Sequence, residues 1–181
     1  MYSKQRGFTM IELIVVIVIL GILAAVALPR FTNMQRDARI AKLNAARGAV
    51  QSASAMIHGA SLVRSGAADA AQCPGTTTTA NNTTTVCTEN GIVNIVNGYP
   101  QATLAGIVAA AGLTSASPPT AAALAAEGYS TTGGGGAIGS TLTIRVNGGT
   151  NAANCSFTYS PSNGGAAGSA AQVGAITTTG C

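Results

Sequence analysis

Tryptophan is absent, histidine occurs once, and only 8% of the 181 residues carry charge. Each scarcity closes a class of function. Aromatics make up 4% of the chain, and beyond Arg64 the only basic residue is Arg145, against Asp69, Glu89 and Glu127. That leaves neither the stacking surface nor the basic face that nucleic-acid binding uses, so no nucleic-acid partner is expected. No two cysteines form a CxxC pair and His58 stands alone, so no metal site and no cofactor is expected. Paired carboxylates at a recognisable spacing and a serine-nucleophile motif are also missing, which argues against a membrane-anchored enzyme. The glycine run 133–136 lacks the strand-then-helix context of a phosphate-binding loop and reads as a linker.

What the chain does have is a long apolar run. Phe8 to Leu28 comprises twenty-one residues whose one ionisable side chain is Glu12. As a helix it measures about 31 Å, against a hydrocarbon core of about 30 Å. A carboxylate at membrane depth is disfavoured by about 3 kcal/mol or more and calls for a partner. Cutting the chain after Gly7 would create one, the α-amine of Phe8, a helical turn from Glu12 on the same chain or on a neighbour. The helix N-terminus favours a negative group at that place as well. A secretory signal peptide fits poorly. Lys4 and Arg6 suit its basic region, but the apolar run exceeds the usual length of roughly 7–15 residues and continues into an amphipathic segment.

The segment Gly7-Phe8-Thr9-Met10-Ile11-Glu12-Leu13-Ile14-Val15-Val16 resembles the leader junction and N-terminal helix of type IV pilins and related pseudopilins. The resemblance implies cleavage after Gly7 by a prepilin peptidase, methylation of the new N-terminus at Phe8, and a role for Glu12 in aligning an incoming subunit with a neighbour's amine. It implies a homo-oligomeric surface filament assembled by inner-membrane machinery. The precursor would span the inner membrane once, N-terminus cytoplasmic, before its subunits become extracellular. Lys4 and Arg6 agree with that orientation. Arg30, Arg36, Arg39, Lys42 and Arg47 follow the span and weaken the charge count, so the orientation rests on the resemblance.

Four regions are expected: a leader at 1–7, a transmembrane or filament-core helix at 8–28, an amphipathic continuation at 29–64, and a globular head at 65–181. Ile40, Leu43, Val50, Ala53 and Ile57 recur at helical spacing and form a stripe that would pack on a sheet. Arg39, Lys42, Arg47 and Gln51 would face solvent or a neighbouring subunit. Pro29 and Gly21 are the expected places for a kink or local unwinding. Gly21 also begins a small-xxx-small pattern that permits close helix approach.

The head reads as α+β, a small antiparallel sheet under the long helix, and the resemblance implies the pilin fold. Gly91 to Pro100 is expected to contain a short strand and Gln101 to Ala111 a helix, with a second helical piece at Ala121 to Glu127. Leu142-Thr143-Ile144-Arg145-Val146 and Cys155-Ser156-Phe157-Thr158-Tyr159 alternate and predict a hairpin. Its inward set is Leu142, Ile144, Val146, Phe157 and Tyr159. A weak further strand is expected at Val173 to Thr178.

All four cysteines lie in the head, where an exterior location permits disulfides. Pairing Cys73 with Cys87 and Cys155 with Cys181 is favoured because each closes a local loop; the other two connectivities stay open. The threonine-rich stretch between Cys73 and Cys87 reads as an exposed loop, and Asn81, Asn82 and Asn154 each begin an Asn-x-Ser/Thr triplet. Gly98-Tyr99-Pro100, Cys155-x-Phe157-x-Tyr159 and the Gly180-Cys181 pair together resemble pilins of the mannose-sensitive haemagglutinin type. A pseudopilin of a type II secretion system is the alternative. The cysteine pattern and the scarcity of acidic residues for a calcium loop count against it. Whether the filament serves adhesion, motility, DNA uptake or electron transfer is left open.

Overall fold

A computed structural model describes residues 8–162 and 169–181. The expected leader, Gly7 included, lies outside them, as does the side chain of Pro29. One α-helix, α1, runs Met10–Arg64, and its helical backbone continues through Gly21 and Pro29. Contacts divide the chain after Ala38. Before that point nearly all described side chains are exposed, with Leu20 at 58% and Val26 at 67%. From Leu43 onward α1 turns amphipathic, burying Leu43, Ala46, Val50, Ala53 and Ile57.

The head contains two antiparallel sheets. The first holds β1 (Thr85–Thr88), β2 (Gly91–Val96) and β3 (Tyr99–Pro100) in that order. Asn97 and Gly98 form the two-residue turn between β2 and β3, with φ of 50° and 76°. Positive φ at both positions matches the twist of a hairpin, and Asn-Gly reaches it at least cost. The second sheet holds β4 (Tyr129–Gly133), β5 (Leu142–Val146), β6 (Ser156–Ser160) and β7 (Gln172–Val173). A short helix, α2 (Ala121–Ala126), precedes β4, its N-terminus capped by the Thr120 hydroxyl.

The expected hairpin is β5–β6, in a register that sets Leu142 opposite Tyr159 and Ile144 opposite Phe157. These side chains close the main core with Leu43, Ala46 and Val50 of α1. Each fully buried Leu, Ile, Val or Phe contributes about 1.5–3 kcal/mol by leaving water. A smaller core gathers Ile57, Val86, Val93 and Ile95 under the first sheet. The Tyr159 hydroxyl joins the two sheets by donating to the Pro100 carbonyl at 2.8 Å. The architecture is thus the α+β arrangement that the alternating and helical patterns imply.

Several local expectations are corrected. The helix expected over Gln101–Ala111 shrinks to a π-helical turn at Leu104–Val108 followed by a short α-helical continuation. The reason lies in the preceding residues. Gln101 donates its amide to Asn94 of β2 at 2.9 Å, and Ala102 pairs with Gly135, so the chain is held extended until Thr103. The glycine run is not a free linker. Gly133 ends β4, Gly134 donates to the Thr141 carbonyl at 2.8 Å and Gly135 to that of Ala102 at 2.9 Å. β1 emerges from the threonine-rich stretch, and β7 is shorter than the strand expected there.

Candidate assembly site

Phe8 and Thr9 precede the first helical residue, so Thr9 is the N-cap of α1 and Glu12 its third residue. Threonine and glutamate at this spacing form a capping box. The Thr9 amide donates to Glu12 Oε2 at 3.0 Å and the Thr9 hydroxyl donates to the same oxygen at 2.7 Å. The Glu12 amide donates back to Thr9 Oγ1 at 3.4 Å. Otherwise orphaned helix N–H groups are satisfied, and the carboxylate sits where the helix dipole favours it. The one acidic group of the apolar run therefore has a partner within its own chain. The Thr9-x-x-Glu12 spacing in the sequence is the signature of this contact. Phe8 is 83% exposed beside it.

The four cysteines form two disulfides, Cys73–Cys87 and Cys155–Cys181, with Cα separations of 5.3 and 4.7 Å. Asp69 joins Cys73 and Cys87 in a cluster of metal-ligand type. Both sulfurs are consumed by the disulfide, and Asp69 meets the Arg64 guanidinium at 3.4 Å. Arg64 also donates to Asn82 Oδ1 and to the Cys87 carbonyl, each at 3.3 Å. The 64–87 segment is thus fastened to the end of α1.

Three basic side chains of α1, expected to face solvent or a neighbouring subunit, are half-buried and bond the head of their own chain. Arg39 Nε donates to the Cys181 carbonyl at 2.5 Å and Arg47 Nε to that of Gly174 at 2.8 Å. Lys42 donates to the Glu127 carbonyl and lies 4.4 Å from the centre of the Tyr129 ring. Gln51 alone of that set is exposed. Charged donors to backbone carbonyls are among the stronger hydrogen bonds, so these cations hold the head. His58 stacks on Tyr99 at 3.9 Å and its Nδ1 lies 3.2 Å from the Gly98 carbonyl oxygen. It is a docking group for the Asn97-Gly98 turn.

Two of the three Asn-x-Ser/Thr triplets are occupied by folding. Asn82 is buried and donates to the Ala67 carbonyl at 2.6 Å and to Asp69 at 2.9 Å. Asn81 accepts from the amides of Thr83, Thr84 and Thr85. Asn154 is exposed.

Comparison with known proteins agrees with the N-terminal geometry. Residues 2–28 match the family described as the prokaryotic N-terminal methylation motif. The chain is 49% identical over 53 residues to the type IV narrow pilus major component PilA5 of Thermus thermophilus, covering 29% of this chain and 46% of that protein. It is 40% identical over 53 residues to the type IV major fimbrial protein FimA of Dichelobacter nodosus, covering 29% and 34%. It is 50% identical over 42 residues to the type IV major pilin protein PilE1 of Neisseria gonorrhoeae, covering 23% and 26%. The matched stretch spans under half the length of each of these relatives. No solved structure matches the chain. The similarity to type IV pilins thus lies in an N-terminal stretch, and these matches do not distinguish the mannose-sensitive haemagglutinin type.

Proposed function

We propose that this chain is the structural subunit of a type IV pilus-like surface filament. The observation that carries this reading is the exposed apolar first half of α1, with its single carboxylate fixed at the helix start. A surface so apolar needs a covering, first lipid and then the matching helices of other subunits. Prepilin peptidase cuts after Gly7, Phe8 is methylated, and the inner-membrane machinery packs the Phe8–Leu28 helices of successive subunits. The N-terminus of the precursor is cytoplasmic and the head lies outside. Gly21 and Pro29 are the places where α1 yields when it enters the filament.

Thr9 gives the Glu12 carboxylate a partner before assembly, and the amine of a neighbouring Phe8 gives it a second one afterwards. A misregistered subunit would bury the carboxylate without that amine, which disfavours wrong packing. The head pattern of Gly98-Tyr99-Pro100 and Gly180-Cys181 favours the mannose-sensitive haemagglutinin type within the family. Mass spectrometry of subunits from sheared surface filaments tests the reading, with a chain that begins at N-methyl-Phe8 as the expected result. Glu12→Ala should leave that processing intact and reduce filament yield at least tenfold; undiminished filaments by electron microscopy would overturn the assigned role.

A further inference from the structure

The outward face of the four-stranded sheet has a chemistry that filament packing through α1 does not use. Strand register sets Thr132, Thr143 and Thr158 in one row and Ser130, Arg145 and Ser156 in the next. Thr132 and Thr158 are exposed, and the apolar residues of β5 and β6 point to the opposite, core side. Beside the threonine row, Thr141, Thr158, Ser160, Gln172 and Gly174 line a groove of about 420 Å³. Gly174 lies so close to Thr158 that a Cβ there would collide with Thr158 Oγ1.

Arg145 is the unusual member. It is the only basic residue beyond Arg64, and its Nε is buried without a hydrogen-bond partner among the described residues. Of the three acidic residues beyond Arg64, Asp69 is paired with Arg64, Glu89 follows β1 and Glu127 follows α2, so none stands in the strands of this sheet. A guanidinium set among hydroxyls and lacking a carboxylate suits an anion supplied from outside, held by a charge-assisted bond.

We propose that this face docks an acidic polysaccharide. Arg145 takes a uronate carboxylate, while the threonine row and Gln172 meet the sugar hydroxyls. Strands about 4.8 Å apart set neighbouring hydroxyls at the scale of a single sugar ring, so one ring is met from two strands at once. Ser130 and Ser156 donate within the chain, to Asn147 and the Ala153 carbonyl, so it is the threonine row that favours a polyol over the acidic side chain of a second copy of this chain, which would need only the cation. The proposal stands on the sheet alone, and its failure leaves the filament reading untouched.

The test uses the full chain in detergent micelles with fluorescein-labelled oligogalacturonate, read by polarisation. Saturable binding is expected, weakened at least tenfold in Arg145→Gln and several-fold in Thr143→Val/Thr158→Val, with Arg145→Lys restoring part of the loss. Arg36→Gln should bind as the parent does, and neutral dextran of equal length should not compete. Unaltered melting temperatures separate lost binding from lost fold, and the threonine double variant carries the test if Arg145→Gln does not fold. Binding that survives Arg145→Gln, that disappears in Arg36→Gln, or that neutral dextran displaces equally well overturns the proposal. So does a parent chain that leaves the sugar unbound while Arg145→Gln changes its self-association by sedimentation, which would assign Arg145 to a second copy.

Discussion

The first half of α1 and its continuation share one backbone conformation and similar aliphatic side chains, yet Leu20 is 58% exposed and Leu43 is fully buried. Secondary structure is therefore the same where the source of stability is not. Leu43, Val50 and Ile57 are held by sheets of their own chain. The large apolar side chains of Leu13 to Leu28 are exposed, and in the proposed filament their cover would come from lipid and then from other copies. The polar groups follow the same division. Arg39, Lys42 and Arg47 bond carbonyls of the head, whereas among the described residues Glu12 bonds Thr9, one turn away.

The largest effect should come from one substitution made in both halves. Leu43→Ala removes a packed side chain and is expected to cost the head about 2–5 kcal/mol by urea unfolding in detergent, whereas Leu20→Ala should change it by less than about 0.5 kcal/mol. Equal losses would break the division. Replacing Cys155 and Cys181 together by alanine should cost about 3.5 kcal/mol by releasing a 26-residue loop, and replacing Cys73 and Cys87 about 3 kcal/mol for a 14-residue loop. Amide exchange within Leu13–Leu28 should not respond to either pair.

Alkaline pH sharpens the contrast further. Burial pushes the Tyr159 hydroxyl up to about 12, above its unfolded value of about 10. The folded head keeps that proton longer than the unfolded chain, so this stability is whole below about pH 10 and is lost as pH rises toward 12. Tyr159→Phe should flatten the alkaline decline while costing about 1 kcal/mol at neutral pH for the lost bond to Pro100. A decline of the same steepness in both proteins would assign it to another group. The smallest effect belongs to Thr9→Ala, about 1 kcal/mol confined to the first turn of α1. It should speed amide exchange at Met10 to Leu13 and leave the melting of the head unmoved.

Legibility in the sequence followed the range of the interactions. The β5–β6 hairpin was readable because Leu142-Thr143-Ile144 and Phe157-Thr158-Tyr159 alternate, and the Leu43–Ile57 stripe because one core fixes its period. β4 was not, since Tyr129-Ser130-Thr131-Thr132-Gly133 has no apolar alternation and owes its extension to pairing with β5. Gln101 behaves likewise, drawn into the sheet by Asn94 before a helix can start. The partners of Arg39 and Arg47 lie 142 and 127 residues away and are backbone carbonyls, which leave no side-chain signature. At the N-terminus the converse holds, because Thr9 and Glu12 spell their contact within four residues.

The disulfides also limit how far the molecule can be drawn out under load. Tension applied between α1 and Cys181 cannot stretch the chain enclosed by Cys73–Cys87 or by Cys155–Cys181. Together the two loops withhold about 140 Å of contour length at roughly 3.5 Å per residue. Oxidised, a pulled chain can therefore yield only between and before its loops; reduced, it would extend further by that amount before tightening.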